Sequence, residues 1–217
     1  MAEEVILLDF WPSPFGMRAM IALREKGVDF DLRKEDALSN KSPLLLEMNP
    51  VHMKIPVLIH IGKPVCESLV IVQYIDKTWG HGSPLLPSNP HERAHARFWA
   101  GYVDKKVGQV VRAVWTSTGE AQEAAKKEYI ECLKVLEGEL GDKAYFGGER
   151  FGYMDVSPIL FYSWFYAFEA SADFSTEEEC PKLVGWAKCC MQRKSVAKSL
   201  PDHHKVYDFK LELKKKL

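Results

Sequence analysis

The 217-residue chain has no C-x-x-C pair, no excess of one charge and no apolar run long enough to span a bilayer. Each absence removes a class of function. The five cysteines, Cys66, Cys132, Cys180, Cys189 and Cys190, are odd in number and lack the His/Cys spacing of a zinc site. A reduced, cytoplasmic setting without a metal centre is therefore expected. Lys plus Arg number 29 against 30 Asp plus Glu, a formal charge of −1, so no global field draws a polyanion and nucleic acid is not an expected partner. The most apolar stretch, Val156 to Ala170, is interrupted by Ser157, Pro158, Ser163 and Glu169. It falls short of the about 20 residues a membrane helix needs and reads as a buried helix, so no membrane partner is expected. The opening Met1-Ala2-Glu3-Glu4 lacks the cationic flank of a secretory signal, and no export by that route is expected.

What is present is an ordinary globular composition, 47% hydrophobic and 27% charged, in a length that fits one large domain or two small ones. Val5 to Phe10 is a compact apolar run that ends at Trp11-Pro12. Ser13 at a cap position, Pro14 at the first helical position and Gly27 as a stop then bracket a helical pattern. Val28 to Arg33 alternates and reads as a second strand. A polar loop is expected from Lys34 to Asn49, followed by a hairpin of Ile55–Ile59 and Pro64–Cys66 around Gly62-Lys63. Glu67-Ser68 opens a helix that ends before Gly80. The order is βαβ then ββα, an α/β domain with a mixed four-stranded sheet over residues 1–80.

Prolines 84, 87 and 90 crowd residues 81–91, where hydrophobic periodicity vanishes; this segment is the expected linker. Beyond it, over 92–217, no strand pattern recurs. Phe98, Trp99, Tyr102, Val103, Val107, Val110, Val111, Val114 and Trp115 fall at helical spacing, and further helices are expected around Ala121–Leu140, from about Asp155, over Pro181–Arg193 and across the lysine-rich end. The second domain is expected to be all helical. Lys214-Lys215-Lys216 complements the end of a helix dipole and needs no membrane to explain it.

A βαβ–ββα domain with a strand led by Ile55-Pro56 resembles the thioredoxin fold, whose cis-proline leaves the preceding backbone free to pair with a peptide-like ligand. The first turn, Ser13-Pro14-Phe15-Gly16, carries no thiol, which excludes disulfide exchange there. A hydroxyl at a helix N-terminus instead suits an anion that arrives with the substrate. Five segments, Ser13-Pro14-Phe15-Gly16-Met17-Arg18, Asn40-Lys41-Ser42-Pro43-Leu44-Leu45, Asn49-Pro50-Val51-His52, Lys54-Ile55-Pro56-Val57-Leu58 and Cys66-Glu67-Ser68, resemble those of plant tau-class glutathione transferases. Arg97-Phe98-Trp99 and Ser163-Trp164-Phe165 extend the likeness into the second half.

That resemblance implies the glutathione transferase fold, a homodimer, glutathione as co-substrate with no metal, and a role in detoxification and stress response. It places Ser13 as the catalytic hydroxyl beside the glutathione sulfur. Glu67 would pair with the γ-glutamyl amine, Ser68 with the adjacent carboxylate, and Lys41 with Lys54 would hold the glycyl carboxylate. Ile55 would fix the cysteinyl centre through its backbone. An apolar electrophile would enter an interdomain cleft lined by Phe15, Trp115, Trp164 and Phe209, with Arg112 to polarise a leaving group and Gly108 where a bulkier side chain often stands. Organic hydroperoxides would be a second substrate class.

Taken singly, these residues have ordinary readings: Ser13 as a helix cap, Glu67 as a first-turn acid, the lysines as solvated charges, the aromatics as core. Gly152-Tyr153-Met154-Asp155 likewise has glycine where Ser or Thr caps more often, a matter of stability. Magnitudes favour the joint reading. A thiol of pKa about 8.5 is about 3% ionised at pH 7, and lowering it by two units takes about 2.7 kcal/mol. A charged hydrogen bond of about 1.5–3 kcal/mol plus a helix N-terminus supplies that without a general base. Two rivals stand beside it: a non-catalytic carrier of apolar metabolites, and disulfide exchange at Cys66 or Cys189-Cys190.

Overall fold

The structure is a computed structural model that describes residues 4–36, 40–80 and 82–215. The chain divides into two compact units, Met1–Leu86 and Pro87–Leu217.

The first unit runs β1 (Val5–Asp9), α1 (Pro14–Glu25), β2 (Asp31–Lys34), α2 (Pro43–Met48), β3 (Val57–His60), β4 (Lys63–Cys66) and α3 (Ser68–Thr78). Strand order is β2-β1-β3-β4, with β1 and β2 parallel and the other pairs antiparallel, a mixed four-stranded sheet. β1 is buried along its whole length, as an apolar central strand covered on both faces must be. Ile6, Leu8, Val57 and Ile59 pack with Leu45 of α2 on one face. Leu7 and Leu58 alternate to the other, where buried Met17, Ile21, Ile71 and Ile75 supply the apolar sides of α1 and α3.

Three local expectations are corrected here. Gly27 sits at φ +64, and Gly27 N–H and Val28 N–H bond back to Arg24 and Leu23 carbonyls in a paired C-terminal closure. That closure takes the Val28 N–H, so β2 begins at Asp31 and not at Val28. The expected polar loop contains α2, which Ser42 caps by accepting from Leu45 N–H at 3.0 Å. Six residues are too few to show a helical period, although Ser42-Pro43 repeats the Ser13-Pro14 start. The hairpin's first strand starts at Val57, directly after the cis Ile55–Pro56 bond.

Residues 83–86, expected as linker, are tied to the first unit. Asp76 accepts the Leu85 and Leu86 N–H groups, and the buried Lys26 pairs with Asp76 at 2.7 Å and donates to the Ser83 carbonyl.

The second unit is helical among its described residues: α4 (Pro90–Tyr102), α5 (Gly108–Thr116), α6 (Gly119–Leu140), α7 (Tyr153–Val156), α8 (Phe165–Ala172), α9 (Thr176–Glu179), α10 (Pro181–Met191), α11 (Lys194–Ala197) and α12 (His203–Lys214). A π-turn, Val103–Val107, joins α4 to α5, and a 3-10 turn, Ile159–Trp164, precedes α8. The single helix expected from Asp155 is thus broken at Pro158, whose ring removes a donor. The helix expected to reach Arg193 ends at Met191.

Asp155 anchors this unit. Fully buried, it accepts Phe146 N–H at 2.9 Å, Gly152 N–H at 2.8 Å and Trp186 Nε1–H at 2.8 Å. Gly152 has no side chain to complete the reciprocal cap, so the carboxylate alone closes α7. Burial lifts the Asp155 pKa to about 6 against the downward pull of those donors. No helix among the described residues is long and apolar enough to cross a membrane.

Candidate active site

The first turn of α1 follows directly from β1 across Phe10–Ser13, where Ser13 N–H closes a tight turn on the Phe10 carbonyl at 2.7 Å. Ser13 occupies the cap position with extended backbone, yet its hydroxyl makes no capping bond and has no hydrogen-bond partner among the described residues. Pro14 leaves the turn one N–H short, so the Phe15 and Gly16 N–H groups face the cap unfilled by side chain. A half-buried hydroxyl that does not cap its own helix thus stands at the positive end of twelve helical residues.

Arg18, one turn further along α1, is fully buried and donates from Nη1 to Ser68 Oγ at 3.0 Å. Ser68 is the first residue of α3, so this bond ties the starts of the two helices together. With an Oγ lone pair occupied by Arg18, the Ser68 O–H proton points elsewhere and can donate to an anion. Glu67, at the cap of α3, holds φ +70 and ψ 116, a left-handed backbone that costs a non-glycine residue of order 1–3 kcal/mol. Its carboxylate is exposed, with His52 Nε2 3.9 Å away.

Asn49, buried between α2 and β3, gives the next loop its shape. Its Nδ2 donates to the Lys54 carbonyl at 2.8 Å, its Oδ1 accepts His52 N–H, and its carbonyl accepts Met53 N–H. The loop delivers Ile55, whose peptide bond to Pro56 is cis and whose backbone groups have no partner among the described residues. Lys41 precedes Ser42, which is held by the buried Glu35 through its N–H at 3.2 Å and its hydroxyl at 2.6 Å. Lys41 and Lys54 are both exposed, and neither is in an ion pair among the described residues.

The first unit therefore carries Ser13, Lys41, Lys54, Ile55, Glu67 and Ser68 on the loops and helix starts at one end of its sheet. Arg18 and Asn49, which the sequence places in the resembling segments without a role, and Glu35 support them. Their signal was a buried charge or amide, and burial is not readable from spacing.

The expected acceptor residues belong to both units. Phe15 is exposed in the first, with the Arg18 guanidinium 5.4 Å from its ring centre. In the second, Arg112 is exposed on α5, Trp115 is half-buried one turn on, and Phe209 is half-buried on α12. Gly108 opens α5. Trp164 is buried and stacks on Phe168 with centroids 5.8 Å apart, yet its Nε1–H has no partner among the described residues.

All five cysteines are free thiols. Burial and the neighbouring Glu67 push the Cys66 pKa up, and burial does the same at Cys190. A raised thiol pKa lowers the thiolate fraction that exchange requires, which weighs against both cysteine rivals. The described residues contain no group of three or more His, Cys, Asp or Glu able to hold a metal ion.

Comparison with known proteins adds an independent line. The model of the glutathione S-transferase N-terminal domain matches residues 3–77, and that of the glutathione S-transferase C-terminal domain matches residues 94–194. Glutathione S-transferase U19 of Arabidopsis thaliana is 64% identical over 100% of this chain and 98% of its own. Among solved structures, a rice glutathione transferase crystallised in complex with glutathione superposes with a TM-score of 0.94 at 50% identity, covering 100% of this chain and 98% of that one. A tau-class enzyme from mango does so with a TM-score of 0.91 at 42% identity, over 97% and 98%.

Proposed function

From the premise that this chain belongs to the glutathione S-transferase family, in its tau class, we propose that it joins the sulfur of glutathione to electrophilic carbon atoms of apolar compounds, with Ser13 as the catalytic hydroxyl. The observation that carries the role of Ser13 is its missing cap bond: a serine kept at a helix start without capping it leaves its O–H for the ligand.

Each end of the tripeptide has a chemically matched group on this chain. The exposed Glu67 carboxylate suits the γ-glutamyl amine. Ser68, with its proton directed away from Arg18, suits the neighbouring carboxylate together with the first-turn N–H groups of α3. The Ile55 N–H and C=O suit the cysteinyl amide, and Lys41 with Lys54 suits the glycyl carboxylate. The residues present fit the co-substrate by charge and by donor count. The Glu67 backbone supports this reading, because strain of that size persists where a side chain must be aimed.

In the reaction, Ser13 donates its hydroxyl proton as a hydrogen bond to the sulfur, and the positive end of α1 favours the ionised form. The thiol proton leaves to solvent. Sulfur then forms its bond to the electrophilic carbon as the leaving group departs with its electron pair. Phe15, Arg112, Trp115, Trp164 and Phe209 are the residues proposed to receive the electrophile; Arg112 would stabilise the departing anion, and the unpaired Trp164 indole N–H could donate to a polar atom of the acceptor. Organic hydroperoxides are a second substrate class open to the same thiolate.

The protein is further proposed to be a cytoplasmic homodimer active in detoxification and stress response. Each unit exposes a large apolar side chain that a partner would cover, Val51 at 78% in the first and Phe98 at 66% in the second. Turnover of a model aryl halide by wild-type protein and by Ser13→Ala tests the reading. A large fall in kcat with a small change in glutathione KM supports it. Tight binding of apolar ligands with no conjugation by the wild type would favour a carrier instead.

A further inference from the structure

Asp9 ends β1 as a buried carboxylic acid, 3% exposed, and its Oδ1 has no hydrogen-bond partner among the described residues. It sits against the first turn of α1. A Cβ placed on Gly16 would lie 2.0 Å from Asp9 Oδ1 and 2.1 Å from its Cγ and Oδ2. The carboxyl thus fills the space of a side chain at the third residue of α1, and glycine is required there by that approach.

Among the described residues Asp9 is in no ion pair. Across the β1–β2 ladder its neighbour Lys34 is exposed. Glu35 gives its N–H to the Asp9 carbonyl, while its carboxylate is taken by Ser42. On α1, Arg18 directs Nη1 to Ser68 Oγ and sets its guanidinium over Phe15. At the start of α3, the exposed Glu67 faces His52. Burial consequently pushes the Asp9 pKa up to about 7, and the Phe10 N–H draws it down by less.

We propose that Asp9 is a positioning residue for the chemistry at Ser13: while it keeps its proton, the first turn of α1 is open to an anion, and once it ionises it opposes that anion. The inference rests on the reading of Ser13 given above. Two negative charges at one helix start compete for the same positive end, and each holds the other's proton more tightly. The coupling is reciprocal. A thiolate beside Ser13 raises the pKa of Asp9, and an ionised Asp9 raises the pKa of the thiol, so the alkaline side of the sulfur titration is stretched by this single carboxyl.

The test uses the full chain with two variants, Asp9→Asn and the double variant Asp9→Gly with Gly16→Ala, in which an alanine methyl takes the vacated space. Two signals are read against pH: the infrared C=O band of a protonated carboxyl, with and without glutathione, and the ultraviolet thiolate absorbance of bound glutathione. We expect the wild-type carboxyl band that fades around pH 7 to persist to higher pH with glutathione bound and to be missing from both variants, in which the Asp155 band, fading around pH 6, remains. We expect the thiolate midpoint to fall by about 0.5 pH unit in both variants, about a threefold gain in the ionisation constant, with a steeper curve. Superimposable thiolate titrations in all three proteins would overturn the role of Asp9 while a lowered midpoint left Ser13 standing. A wild-type midpoint equal to that of free glutathione would overturn the Ser13 reading and this proposal together.

Discussion

Arg18 Nη1 and Ser68 Oγ lie 3.0 Å apart inside the first unit, joining two helix starts fifty residues apart in sequence. The bond commits Ser68 as an acceptor toward α1, and in the proposed site its proton is the one given to glutathione. Ser68→Ala therefore strikes two properties. We expect glutathione KM to rise about tenfold, the equivalent of about 1.4 kcal/mol, and stability to fall by about 1–2 kcal/mol as a buried Arg18 donor loses its partner. Steady-state kinetics with urea unfolding checks both. A change in stability with unaltered KM would remove Ser68 from the ligand.

Glu67 combines a strained backbone with an exposed carboxylate, a pairing that makes the direction of change unusual. Glycine accepts φ +70 without penalty. For Glu67→Gly we expect stability to increase by about 1 kcal/mol while glutathione affinity falls. Isothermal titration beside thermal unfolding decides the matter, and a destabilised variant that binds glutathione normally would show that the backbone is not held for the ligand.

Asp155 has the opposite character, three donors and no exposure. Asp155→Ala leaves Phe146, Gly152 and Trp186 N–H groups unsatisfied in the core of the second unit. The expected cost is about 3 kcal/mol, a fall in Tm of about 6–12 °C at this chain length. Folded variant at low temperature should keep the wild-type glutathione KM. Calorimetry that finds an unchanged Tm would contradict the anchoring role.

The raised pKa of Asp9 also has a sign in stability. Its carboxyl ionises near its ordinary 3.8 when unfolded but at about 7 when folded, so between those values the native state binds more protons and the protein loses stability as pH rises. Asp9→Asn carries no such loss. Relative to wild type, the variant should therefore gain with pH, by about 4 kcal/mol at most between pH 4 and 7, and the difference should be flat above. Unfolding at pH 4.5 and pH 8 measures it; a pH-independent difference would mean that Asp9 titrates normally.

Much of this architecture is legible from residue types. Ser13-Pro14 and Gly27 mark the ends of α1 to within two residues, because caps and stops act locally. The strand that follows the Ile55-Pro56 pair and the helix opening at Ser68 are equally local. The missed elements are those decided by contacts: the Gly27–Val28 closure that delays β2, the six residues of α2 seated on Leu45, and the break at Pro158. In the candidate site, the residues proposed to meet the ligand are read from their chemistry. Arg18, Asn49 and Asp9 are not, since a buried arginine, amide or acid looks like any polar residue until the sheet and helices close around it.

Ser13 is the residue on which the proposed chemistry turns. Its hydroxyl does not cap α1, so Ser13→Ala should change stability by less than about 0.5 kcal/mol, below the about 1 kcal/mol that a working cap contributes. The most direct measurement is a pH titration of the ultraviolet thiolate absorbance of glutathione bound to the wild type and to Ser13→Ala. We expect a wild-type midpoint about two units below that of the free thiol and a variant midpoint most of the way back toward it. Equal midpoints in the two proteins would contradict the role of the Ser13 hydroxyl in holding the sulfur ionised.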